Sequence, residues 1–74
     1  MKFELGRCLL DERLHESGMT LEHIAQILHY RPERISDFMD NKRVMPLKMA
    51  ISIAATVGCN VNDLYELIPI EKIE

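Results

Sequence analysis

Between His29 and Arg43 the chain reads HYRPERISDFMDNKR, and this stretch carries the residues best placed for chemistry. Arg31, Arg34, Lys42 and Arg43 supply four cations. Such side chains neutralise phosphate, and Arg or Lys against guanine is the commonest specific base contact. Glu33, Asp37 and Asp40 are interleaved with them. A carboxylate accepts from the cytosine amino group, but phosphate repels it and its desolvation is costly. The stretch therefore suits either a DNA groove, with cationic support, or a basic protein surface.

Other chemistries lack their residues. Cys8, His15, His23, His29 and Cys59 are too widely spaced for a metal site. The two cysteines read as small buried hydrophobes, since a disulfide needs oxidising surroundings. No nucleophile–base arrangement and no phosphate-cradling glycine loop is visible, so no enzyme, cofactor or metal is expected.

With 74 residues, 47% of them hydrophobic and 28% charged, the chain is expected to form one small folded domain. Its net charge of −3 argues against indiscriminate nucleic-acid binding. The middle third is the exception: residues 19–46 hold four bases and four acids, whereas residues 47–74 hold two bases and four acids. No uncharged run approaches ~20 residues and no leader pattern is seen, so a cytoplasmic location is expected, on the nucleoid when DNA is bound.

The elements that must position these groups follow from apolar spacing. Leu5, Cys8, Leu9, Leu10 and Leu14 predict helix one over about residues 4–17, stopped by Gly18. Thr20 caps helix two, whose stripe is Leu21, Ile24, Ala25 and Leu28. His29 ends it in a tight turn, and Pro32 suits the first position of helix three. Ile35, Phe38 and Met39 form that helix's inner side, and Asn41 closes it. After Pro46 comes helix four, with Leu47, Ala50, Ile51, Ala54 and Val57 inside and Gly58 as its stop. Asn60, with Asp63, caps a fifth helix that turns Val61, Leu64, Tyr65 and Ile68 inward. The expected fold is all-α, with a domain over residues 1–68 and a short tail, irregular or a short strand, over 69–74.

A link of about three residues between helices two and three forces a sharp crossing, as in a helix-turn-helix, and Ala25 is small enough to sit where the helices meet. Spacing alone also fits a generic helical hairpin. MTLEHIAQILHYRPERISDFMDNKR, continuing through LKMAISIAATVGCNVNDLYELIP, resembles the Cro/Xre family of phage-repressor-like regulators over about residues 5–69. The resemblance implies a five-helix lambda-repressor-like domain whose helix three enters the major groove. It implies a sequence-specific transcriptional regulator, a repressor of bacterial or prophage origin. His29 and Asn41 replace glycines of the family pattern, and Leu21 replaces a glutamine that touches DNA. The base-facing positions fall on Pro32, Glu33 and Asp37, with Arg34 and Ser36 beside them. Thr20, Arg31, Asn41, Lys42 and Arg43 complete the expected DNA-binding set.

Such modules bind double-stranded DNA as two-fold dimers. A homodimer is expected through Tyr65, Ile68, Ile70 and Ile73, although this apolar end could instead fold back onto Phe3 and Leu5. The alternative function is a protein-interaction module, an antirepressor or antitoxin-like partner of another regulatory protein, using the acidic side of helix three.

Overall fold

Residues 2–5 alternate in polarity with a period of two, and they pair with residues 67–70. The computed structural model describes residues 2–70. Strand β1 (Lys2–Cys8) is followed by helices α1 (Leu10–Ser17), α2 (Leu21–Leu28), α3 (Pro32–Met39) and α4 (Leu47–Val57). A single 3-10 turn (Val61–Asp63) then leads into strand β2 (Tyr65–Ile70). The strands form a two-stranded antiparallel ribbon in which Lys2 faces Ile70, Phe3 faces Pro69, Glu4 faces Ile68 and Leu5 faces Leu67.

This corrects the all-α expectation: a helix-turn-helix body carries a β-ribbon, and among the described residues there is no fifth α-helix. At the first end, residues 4–8 leave the predicted helix and join 2–3 in a strand, because Gly6 is a poor helix former and Phe3 and Leu5 alternate with Lys2 and Glu4. The helical stripe begins only at Leu10 and Leu14, both buried. At the second end, Asn60 N–H donates to Asp63 Oδ2 (3.1 Å), which starts a turn as expected. That turn does not propagate because the backbone from Tyr65 onward pairs with β1, and Pro69 and the β-branched Ile68 and Ile70 suit an edge strand. The ladder with β1 takes the backbone groups that a fifth helix needs.

The chain-reversal residues behave as their types dictate. Gly18 (φ 70°), His29 (φ 59°), Asn41 (φ 60°) and Gly58 (φ 88°) all adopt the left-handed conformation. Phe38, Leu10, Ile24, Ile35, Ile53 and Leu64 are fully buried and form the centre of the core. The stripe of α4 departs from expectation. Ile53 joins Ala50, Ala54 and Val57 inside, while Leu47 and Ile51 face outward.

A bulge in β1 ties the ribbon to the body. Between the pairs Leu5–Leu67 and Cys8–Tyr65, β1 has two residues and β2 has one. Gly6 is required there, because a Cβ would lie 2.9 Å from Glu66 Cβ. Arg7 N–H donates to Glu66 Oε1 (2.9 Å). The freed groups on either side are taken by Asn41, whose Oδ1 accepts from Cys8 N–H (3.0 Å) and whose Nδ2 donates to Gly6 O (3.2 Å). Beyond the bulge, Lys2–Leu5 and Glu66–Pro69 are exposed, and the molecule measures 47 × 21 × 18 Å. The ribbon projects as an arm.

Two substitutions separate the parts of this clasp. Asn41→Gly keeps the left-handed backbone but loses both side-chain bonds, and is expected to cost about 1–2 kcal/mol. Asn41→Ala also forces an unfavourable φ, for a total of about 2–4 kcal/mol. Urea unfolding of the two variants measures the difference; equal losses would place the whole effect in the hydrogen bonds.

Candidate nucleic-acid interface

The crossing of α2 and α3 is built from a capped helix, a turn of three residues and a second helix. Thr20 Oγ1 accepts from His23 N–H (3.1 Å) and fixes the start of α2. At its end, the Ala25 carbonyl accepts from the His29 N–H and, at 3.0 Å, from the Tyr30 N–H. The positive φ of His29 turns the chain, Arg31 is extended, and Pro32 opens α3. Ala25 is buried on the inner side of α2, while Ile35 and Phe38 are the buried side of α3. A larger residue at Ala25 would overpack the core on that side of α2.

The outer side of α3 is open. Pro32, Glu33, Arg34 and Asp40 are exposed, and Ser36 and Asp37 are half-buried. Its charges are sorted onto two flanks. Arg31, Arg34 and Arg43 line one concavity around Asp37, with Arg43 Nε 3.7 Å from Asp37 Oδ2. Leu21, Pro32, Glu33, Ser36, Asp40 and Lys42 line a second, which Asp37 also borders. The first flank is basic, with three guanidinium groups against one carboxylate. The second is acidic, with Lys42 as its cation. The Arg43–Asp37 separation is long and solvent-exposed, so it holds Arg43 only weakly.

Arg43 reaches the first flank because the loop folds back over α3. Asp37 O accepts from Lys42 N–H (2.9 Å) and Arg43 N–H (3.3 Å). This reversal follows the left-handed turn at Asn41, and it sends Lys42 and Arg43 to opposite sides of the helix.

Of the residues expected from sequence to meet DNA, Arg31, Pro32, Glu33, Arg34, Ser36, Asp37, Lys42 and Arg43 surround one surface. Thr20 lies at the start of α2 with its oxygen engaged by His23. Asn41 has both ends of its amide bound to Gly6 and Cys8. Spacing gave no sign of that role, since its partners lie more than thirty residues earlier in the chain.

The described residues among those expected to join two copies all lie in β2. Tyr65 is buried, and its hydroxyl accepts from Met45 N–H (3.2 Å). Ile68 and Ile70 lie in β2 opposite Glu4 and Lys2, and Ile73 falls outside the described residues. The thiols of Cys8 and Cys59 are both unpaired, and burial pushes both up from the ordinary thiol range. Among the described residues, no helix is long and apolar enough to cross a membrane.

No family model matches the chain. It is 34% identical over 67 residues to a Bacillus subtilis (strain 168) protein, the SPbeta prophage-derived uncharacterized HTH-type transcriptional regulator YopS. The match covers 89% of this chain and 90% of that relative.

The turn itself makes a stability prediction. A left-handed non-glycine residue costs about 1–2 kcal/mol, and glycine's extra unfolded-state freedom costs about 0.5–1 kcal/mol. His29→Gly is therefore expected to stabilise by up to about 1 kcal/mol, seen as a rise of a few degrees in the melting temperature. A fall would show that the His29 side chain itself supports the turn.

Proposed function

Because this chain belongs to a family of small helix-turn-helix transcriptional regulators, consistent with its Cro/Xre resemblance, we propose that it binds operator DNA and represses transcription, with α3 in the major groove. The observation that carries this reading is the gathering of Arg31, Arg34 and Arg43 along one flank of an uncovered α3. These guanidinium groups meet the phosphates bordering the groove, and Arg34 is close enough to the helix start to reach a guanine edge. Pro32, Glu33, Ser36 and Asp37 face the bases. Lys42 holds the opposite strand's backbone and offsets Glu33 and Asp40. Two copies bind together on a two-fold site, in the cytoplasm and on the nucleoid.

The acids limit affinity rather than abolish binding. With four cations per subunit, a dimer's log–log salt slope is bounded near −7, and a value near half that is expected because Asp37 and Asp40 compete for the same cations. The acidic flank also supports a second reading, in which Glu33 and Asp40 meet a basic surface of another regulatory protein.

A fluorescence-anisotropy titration on the upstream DNA of its own gene, at several salt concentrations, tests the first reading. Arg34→Ala is expected to weaken binding by about tenfold and to relax sequence preference. Lys42→Ala is expected to weaken all sequences alike and to flatten the slope by about 1 per subunit. Asp37→Asn removes a repulsive charge and frees Arg43, so it is expected to tighten binding several-fold. Folded protein that shows no DNA binding even at ~50 mM salt, where the phosphate contribution is large, would shift the function to the protein-partner reading.

A further inference from the structure

The loop between α3 and α4 carries Lys42 and Arg43, two of the four cations in the stretch from His29 to Arg43, and both its ends are fastened to the terminal ribbon. At its start, Asn41 Nδ2 donates to Gly6 O (3.2 Å) and Asn41 Oδ1 accepts from Cys8 N–H (3.0 Å). At its end, the Tyr65 hydroxyl accepts from Met45 N–H (3.2 Å). The first clasp grips β1 at its bulge. The second grips β2 at the residue facing Cys8 across the ladder. Lys42, Arg43 and Val44 span the interval between the clasps and are exposed.

We infer that Asn41 is a positioning residue for DNA binding: it ties the loop to the ribbon, and so holds Lys42 and Arg43 where they meet phosphate. The inference rests on the DNA-binding reading above, but its structural half is measurable without DNA.

Three observations carry it. The first is the direction of the amide. Both ends of the Asn41 side chain are bonded to backbone groups of β1, so it serves the ribbon rather than a phosphate. The second is the loop's slight hold on α3. The N–H groups of Lys42 and Arg43 share one acceptor, Asp37 O, at 2.9 and 3.3 Å. The Arg43–Asp37 ion pair is 3.7 Å long and exposed, and such pairs contribute little. One shared carbonyl cannot fix a segment that has two soft dihedrals per residue. The two clasps add three bonds, and all three come from the ribbon.

The third is the destination of the charges. Arg43 joins Arg31 and Arg34 on the basic flank, while Lys42 joins Glu33 and Asp40 on the acidic one. A loosened loop therefore takes a cation from both flanks at once. The acidic flank suffers more, because without Lys42 its carboxylates face the phosphates uncompensated. Among the described residues, none of β1 or β2 lines either flank, so the ribbon acts on binding only through the loop.

The clasp also depends on the ribbon's register. A Cβ at position 6 would lie 2.9 Å from Glu66 Cβ, which pushes the strands apart at the bulge and draws Gly6 O and Cys8 N–H away from Asn41. By linkage, whatever opens the ribbon there lowers DNA affinity, and bound DNA in turn holds the ribbon closed.

Two variants test this from opposite ends. Asn41→Gly keeps the left-handed turn and loses the amide. Gly6→Ala disturbs the bulge and leaves every residue of α3 and the loop in place. In the free protein, nuclear magnetic relaxation is expected to give backbone order parameters near ~0.85 for Lys42, Arg43 and Val44 in the wild type and below ~0.6 in both variants, with Ile35 unchanged. In anisotropy titrations each variant is expected to bind DNA about three- to tenfold more weakly, with a salt slope flatter by about 1 per subunit. A double-mutant cycle separates positioning from general weakening. With Lys42 and Arg43 both replaced by Ala, and at ~50 mM salt to keep binding measurable, adding Asn41→Gly is expected to change affinity by less than about twofold. An affinity loss that persists in full in that background overturns the inference, as do unchanged order parameters in Asn41→Gly, and both results leave the DNA-binding reading standing. A wild type that does not bind DNA removes that reading and the inference with it. Should Gly6→Ala lose its fold, Asn41→Gly alone decides, since it keeps the turn geometry.

Discussion

The side-chain amide of Asn41 holds together parts of the chain that nothing local connects. It bonds Gly6 O and Cys8 N–H across a bulge, and its own backbone is left-handed. One residue thereby fixes where the ribbon leaves the body and where the chain turns after α3. The two tasks are physically coupled. The positive φ reverses the chain so that Lys42 and Arg43 return over the last turn of α3, and the amide stops that reversal from opening. Tyr65, through its bond with Met45, secures the next part of the same loop to β2. The surface that would meet DNA is thus positioned partly by the ribbon.

That surface is not uniformly basic, and its arrangement matters more than its sum. Counted along the sequence, the acids and bases of residues 29–43 nearly cancel. In space they do not, because a helix separates positions 31 and 34 from positions 33 and 40, and the reversed loop adds Arg43 to one side and Lys42 to the other. A ligand with two parallel rows of negative charge meets different conditions at each row. The Arg row attracts; the row beside Glu33 and Asp40 attracts only through Lys42. Such an asymmetry favours register and orientation over strength.

Local signals in the sequence were enough to locate α2, the turn at His29, α3, α4 and the helix stops at Gly18, Asn41 and Gly58, because each depends on a short-range rule: a cap, a positive φ or a stripe of 3.6-residue period. The ribbon was hidden for the opposite reason. Leu5, Cys8 and Leu9 satisfy a helical spacing, while Phe3 and Leu5 satisfy an alternating one that the bulge interrupts before Cys8, and the choice between them is made by β2, some sixty residues away. The fifth helix failed for the same reason, since a sound cap at Asn60 starts a turn but the claim of β1 on the backbone from Tyr65 ends it. The grouping of the cations was likewise out of reach, because it rests on which way the loop after Asn41 folds. In α4, a stripe drawn through Leu47 and Ile51 fits the period as well as one through Ile53; only packing against the other helices selects the second.

A ladder that joins position 2 to position 70 closes the full length of the described chain into one loop. Closing so long a loop is entropically expensive, and little is gained until the helices already hold its ends near one another. The helical body should therefore assemble first, with the arm zipping outward from the bulge as the final event. Opening would run in reverse, from the free tip inward, so amide protons near Phe3 and Ile68 should exchange through partial fraying long before those of Ile35 or Ile53 exchange through global unfolding. The arm is the part of this molecule that a neighbour could most readily finish.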